Sequence, residues 1–142
     1  MLNAAGRDTP MAVILIVEDE GLIAEVAKMT IEDMGHDALS ASDMDQALLI
    51  LRAPQPIHAL FTDIRLKVAV LGGYELADQA RKLRPQLRVL YASGSALTDK
   101  TKALFVNDAY FLQKPYSPAQ LTRAIENLLL APEPATRSTP SP

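Results

Sequence analysis

Between residues 11 and 130, short apolar runs alternate five times with stretches whose apolar residues recur at helical spacing. The clearest run is Val13-Ile14-Leu15-Ile16-Val17, continuous and β-branched. A strand with no polar face has to be covered on both sides, the condition of a strand inside a parallel sheet. Leu22, Ile23, Val26, Ala27, Ile31 and Met34 then repeat with the period of a helix, and Gly35 follows as a stop. Asp37 to Ala41 is a shorter, weaker strand. The next helix carries Met44, Ala47, Leu48 and Leu51, with Ser42 and Asp45 resembling its N-terminal cap and Pro54 and Pro56 ending it. Ile57 to Thr62 reads as the third strand, and Leu76, Ala77, Ala80 and Leu83 mark the third helix. Leu87 to Ala92 is a fourth strand, Thr98 to Asn107 a fourth helix with a thin apolar stripe, and Ala109 to Leu112 a fifth strand. Ser117-Pro118-Ala119-Gln120 supplies a capping serine, a proline at the first helical position and a glutamine at the third. Leu121, Ala124, Ile125, Leu128 and Leu129 continue the last helix with strong periodicity.

Five βα units in a row imply an α/β fold, a doubly wound five-stranded parallel sheet with five helices on its two faces. Right-handed crossovers leave few topologies, and the flavodoxin-like strand order 2-1-3-4-5 is the common one at this size. The two ends differ from the middle. Residues 1–10 read as a flexible leader, 11–130 as the domain, and 131–142, rich in proline and serine, as a disordered tail.

Composition narrows the function. The net charge of −3 gives no electrostatic footprint for direct nucleic-acid binding. With no cysteine, disulfides, thiolate metal sites and cysteine nucleophiles are excluded. The longest apolar run stops at Glu18-Asp19-Glu20, too short to cross a bilayer, so no membrane association is expected and a cytoplasmic location is inferred. His36 and His58 have no companion ligands and are expected to be structural or solvated.

In sheets of this kind the ligand site lies beyond the carboxyl ends of the strands. Strand one ends in Glu18-Asp19, strand three in Asp63, strand four in Ser93-Gly94 and strand five in Lys114-Pro115. Three carboxylates, a hydroxyl and an ammonium therefore share one rim. Carboxylates crowded together raise one another's pKa values, and a hard divalent cation relieves the repulsion. Mg2+ suits such a set, since it takes one or two carboxylates, waters and a phosphate oxygen. Asp63 is then a candidate nucleophile forming an aspartyl phosphate, with Lys114 neutralising charge and Ser93 donating to a phosphoryl oxygen.

These residues resemble a response-regulator receiver domain over roughly residues 11–130, in Val-Glu-Asp-Glu at 17–20, Thr-Asp-Ile-Arg at 62–65, Tyr-Ala-Ser-Gly at 91–94 and Phe-Leu-Gln-Lys-Pro-Tyr at 111–116. The resemblance implies a phosphoacceptor in a two-component system rather than an enzyme, one that catalyses its own phosphorylation and dephosphorylation. Asp63 would take the phosphoryl group from a histidine kinase or histidine phosphotransfer protein. Asp19, Asp63 and the backbone carbonyl of Arg65 would ligate Mg2+ directly, and Glu18 mainly through water. Ser93 would close on the phosphoryl group and Phe111 turn inward as the switch aromatic. The face built from the fourth helix, fifth strand and fifth helix would then change its preference for a downstream protein target, or for a second copy in a homodimer. The Lys114-Pro115 bond is expected to be cis.

The loop after Asp63 departs from the family pattern. Lys67 stands where a proline is usual, and Val68, Ala69, Val70 and Leu71 make the loop longer and apolar, which suggests a partner contact. After Leu130 only twelve residues follow, so the reading is a stand-alone receiver. A non-phosphorylated pseudo-receiver acting as an interaction module is the alternative, given the altered loop. A phosphatase of the haloacid-dehalogenase kind fits less well, because it wants its nucleophile on the first strand with a second acid two residues on. No G-x-G-x-x-G or Walker-type motif supports a nucleotide-binding domain.

Overall fold

The computed structural model describes residues 11–66 and 72–134. The leader 1–10, the loop residues 67–71 and the tail from 135 lie outside the described residues, and with them the expectations placed on Lys67 to Leu71. The chain runs β1 (Val13–Val17), α1 (Gly21–Asp33), β2 (Asp37–Ala41), α2 (Met44–Arg52), β3 (Ala59–Asp63), α3 (Gly72–Leu83), β4 (Arg88–Ser93), α4 (Asp99–Lys102), β5 (Tyr110–Gln113) and α5 (Pro118–Leu130). All strands are parallel, in the order β2-β1-β3-β4-β5. The expected architecture and strand order are those observed.

Two cores lie on opposite faces of the sheet because side chains alternate along a strand. Ile14, Ile16, Ala59, Phe61, Leu90 and Ala92 meet Ala27 and Ile31 of α1 and Leu121, Ile125 and Leu128 of α5. Leu15, Val17, Leu60, Val89 and Tyr91 meet Ala47, Leu48 and Leu51 of α2 and Leu76, Ala77 and Ala80 of α3. The apolar run in β1 thus divides between two layers, which is why it has no polar face.

The N-terminus of β1 is held by both histidines. His36 Nδ1 accepts the Ala12 N–H at 3.0 Å and His58 Nδ1 accepts the Val13 N–H at 2.9 Å. Their expected structural role is what the geometry gives them.

Several boundaries differ from the sequence reading. Asp43, not Ser42 or Asp45, caps α2: its Oδ1 accepts the Gln46 N–H at 2.8 Å, while Gln46 Oε1 accepts the Ser42 N–H at 2.9 Å. The strands β3, β4 and β5 each end one residue later than expected, so Asp63, Ser93 and Gln113 are the terminal residues of their ladders. The largest difference is α4, a single turn instead of a helix reaching Asn107. Thr98 and Thr101 form its capping box. After it the chain tightens, with Leu104 N–H donating to Thr101 O and Phe105 N–H to Lys102 O, both three residues back. Phe105 then turns inward onto Tyr91, ring centroids 4.5 Å apart, and the Val106 N–H donates to the Tyr91 hydroxyl at 3.2 Å. Asp108 follows at φ 61°. Aromatic and β-branched residues are weak helix formers, and here tertiary contacts outweigh a thin apolar stripe.

Candidate functional site

Asp63 is the last residue of a strand that is buried along its whole length. The chain folds so tightly there that only glycine fits opposite it. A Cβ on Gly73 would overlap the Asp63 carbonyl oxygen and come within 2.6 Å of Ile64 Cα. The Gly73 N–H donates to Ile64 O at 2.8 Å, so the first turn of α3 rests directly on the peptide that carries Asp63.

Glu18 follows β1 next door. Its N–H donates to Ala41 O, which extends the sheet by one residue, and its Oε2 accepts the Glu20 N–H at 3.1 Å. Glu18, Asp19 and Asp63 bring ligand oxygens within 4.8 Å of one another. Lys114, just beyond β5, donates from Nζ to Glu18 Oε1 and to Asp63 Oδ1, both at 2.9 Å. Glu18 and Asp63 are buried and Lys114 is half-buried, with 5%, 8% and 18% of their side-chain surface exposed. The Lys114-Pro115 bond is cis, as expected.

One ammonium faces two buried carboxylates, and the titration reflects it. Burial and the neighbouring Glu18 push Asp63 up to about 8, against the pull of Lys114. Burial also opposes ionisation of Glu18, but hydrogen bonds from Asp63, Lys114 and the Glu20 amide outweigh it and hold Glu18 below its ordinary value. Lys114 is raised: burial works against its charge, and the two carboxylates more than compensate. Such a cluster has room for more positive charge. Hard oxygen donors held this close fit Mg2+ in kind and in charge, and receiver domains bind Mg2+ through acidic residues of this sort.

A cleft of about 770 Å3 opens over the cluster, lined among others by Asp19, Asp63, Arg65, Ser93 and Lys114. Ser93 is half-buried at the end of β4, and its Oγ accepts the Ser95 N–H at 3.0 Å. Arg65 is exposed at the cleft's edge. Phe111 is half-buried on β5, stacked on Phe105 at 6.2 Å, and borders a separate cavity of about 90 Å3 that also touches Ser93 and Tyr74. The structure therefore brings Asp19, Asp63, Arg65, Ser93 and Lys114 to one cleft, with Glu18 joined to it through Lys114 and Phe111 on the neighbouring cavity that also touches Ser93. Two neighbours stand in the 111–116 motif, but the sequence reading gave them no role. Tyr116 packs on Phe61 at 5.9 Å, and burial followed by the nearby Glu18 charge pushes its hydroxyl up to about 12. Gln113 spans the ends of β4 and β5, and its only sequence signal is an amide side chain ending an otherwise apolar strand.

Fold and site define an α/β domain with an acidic, lysine-bridged cleft at the carboxyl ends of its parallel strands. Residues 14–126 match the family model of the response regulator receiver domain, and the chain belongs to that family. It is 35% identical over 125 residues to the nitrogen assimilation regulatory protein NtrX of Azorhizobium caulinodans, covering 84% of this chain and 27% of that protein. A probable transcriptional regulator of Porphyridium aerugineum is 26% identical, with 82% of this chain and 47% of that protein covered. The chain thus spans about a quarter to a half of these relatives. Among solved structures, a response regulator receiver protein from Sinorhizobium medicae superimposes with a TM-score of 0.76 at 30% identity, covering 85% of this chain and 96% of that one. A CheY-like receiver domain protein from Methanospirillum hungatei gives 0.74 at 25% identity, covering 84% and 94%. Receiver domains act in two-component signal transduction, where they interact with histidine kinases and effectors. No helix among the described residues is long and apolar enough to cross a membrane.

Proposed function

We propose that Asp63 accepts a phosphoryl group from a phosphohistidine on a histidine kinase or phosphotransfer protein, and that the domain signals through protein contacts. The observation that carries this reading is a buried carboxylate at the end of β3, in contact with Lys114 Nζ and clustered with Glu18 and Asp19. A carboxylate oxygen of Asp63 attacks phosphorus, the P–N bond breaks and its electron pair returns to the donor imidazole. Mg2+, when bound by Asp19, Asp63 and the Arg65 carbonyl with Glu18 acting mainly through water, supplies the positive charge that the transferring group needs. Lys114, whose Nζ touches Asp63 Oδ1, neutralises a phosphoryl oxygen. Ser93 leaves Ser95 to donate its hydroxyl to a second oxygen, and Phe111 fills the space beside it. The same groups serve hydrolysis of the acyl phosphate, so the protein acts on itself rather than turning over a separate substrate. The output face is the one built from α4, β5 and α5. A downstream target protein, or a second copy, meets the domain there.

The test is intact mass measurement after incubation with acetyl phosphate. One phosphoryl group is expected on the wild type in Mg2+, and none in chelator or on Asp63→Asn. Lack of an adduct, together with no thermal shift from beryllofluoride, would support the pseudo-receiver reading instead.

A further inference from the structure

Gln113 is exposed, yet its side chain amide meets three backbone carbonyls at the cleft's rim. Its Nε2 lies 3.2 Å from Ser93 O, 3.1 Å from Gly94 O and 3.2 Å from Lys114 O. Three carbonyl oxygens around one atom identify it as the amide nitrogen. With two hydrogens for three acceptors, one bond is shared. The pairing of β4 with β5 ends at Ser93 and Gln113, where the Lys114 N–H donates to Ser93 O at 2.8 Å. Gly94 lies beyond that ladder, so the side chain of Gln113 lengthens it by one residue.

That residue opens the loop that must move. Ser93 Oγ accepts the Ser95 N–H at 3.0 Å. Gly94 has open space around it, since an added Cβ would meet nothing within 4 Å. The chain beyond is exposed from Gly94 to Lys100 and continues into a helix of one turn, so it has little packing of its own. In such a connection, a side chain tying the Ser93 strand to the Lys114 strand sets the loop's resting position.

We propose that Gln113 is a positioning residue: its amide latches the Ser93–Ser95 loop in the arrangement where Ser93 faces Ser95, and so limits closure of Ser93 on a phosphoryl group at Asp63. This rests on the reading of Asp63 as phosphoacceptor. A ligand that needs a minor conformation binds more weakly by the fraction of molecules in that conformation. Releasing the latch therefore tightens binding of a phosphoryl mimic.

The experiment is a beryllofluoride titration in Mg2+, followed by the amide resonances of Gly94 and Ser95, on the full chain. Gln113→Met keeps the length and removes the donors without adding charge. Its apparent affinity is expected to rise about five-fold, the worth of one net hydrogen bond. In a Ser93→Ala background the gain should vanish, which a merely structural role would not produce. Equal or weaker affinity in Gln113→Met, or the same gain without the Ser93 hydroxyl, overturns the latch while leaving wild-type binding intact. No binding by the wild type overturns the phosphoacceptor reading and the proposal with it.

Discussion

The middle of the sheet and its β5 edge are built to different standards. β1 and β3 are buried along almost their whole length, with Ile14, Leu15, Ala59 and Leu60 fully shielded. β5 is half-buried at best, and the helix before it is a single turn with no buried residue. Asp63 and Glu18 stand at the end of the rigid half, and Lys114, Gln113 and Phe111 belong to the looser one. A site that transfers a group needs its acceptor held still, and a switch needs a margin whose packing can change. This domain places the two side by side, joined by the Lys114 bridge.

The comparison can be broken most strongly at its rigid side. Leu60→Ala should cost about 4 kcal/mol in urea unfolding, as expected for a fully buried leucine. A cost of 1 kcal/mol or less would mean that the centre is as loose as the edge. Lys114→Ala should cost about 3 kcal/mol in metal-free buffer, because two buried carboxylates lose their cation. Added Mg2+ should recover part of that loss, and an equal melting temperature with and without Mg2+ would argue against a metal site there.

Asp63 offers a pH test. Its native value of about 8 lies above its ordinary 3.8, so its stabilising contribution is full at low pH and lost as pH rises through that interval. Glu18, held below its ordinary 4.5, acts in the opposite sense: its contribution is full above pH 4.5 and is lost only as pH falls below it. Metal-free wild type should therefore lose thermal stability between pH 5 and pH 8, roughly the span these values set. Asp63→Asn should flatten the profile and melt several degrees higher at the alkaline end. A parallel decline in the variant would place the titration elsewhere.

The smallest effect belongs to the edge. Phe105→Ala should cost about 1.5 kcal/mol, well under a buried phenylalanine, since Phe105 is only partly covered. A cost as large as that of Leu60→Ala would erase the distinction between the two regions.

The local patterns were legible where they were strong. The run Val13 to Val17, the stripe from Leu121 to Leu129 and the Ser117 cap each named their element, and Ser117 does accept the Gln120 N–H at 3.1 Å. Parallel order follows from five βα units, so the rim positions of Glu18, Asp63, Ser93 and Lys114 could be inferred before any coordinates. The length of α4 could not. Thr98 to Asn107 has helix-compatible residues, but Phe105 finds Tyr91, and that contact depends on β4 and β5 lying side by side.

By itself, then, the sequence determined the order of elements, the two-sided burial of the central strands and the residues that gather at their carboxyl ends. These depend on periodicity and on chirality of connection, both of which are local or topological. Only the tertiary structure decided that Lys114 bridges Glu18 and Asp63, that Gly73 must lie against the Asp63 peptide and that Gln113 holds Gly94. Those contacts join segments far apart in the chain, and they exist at hydrogen-bond or van der Waals distance only once both cores have packed.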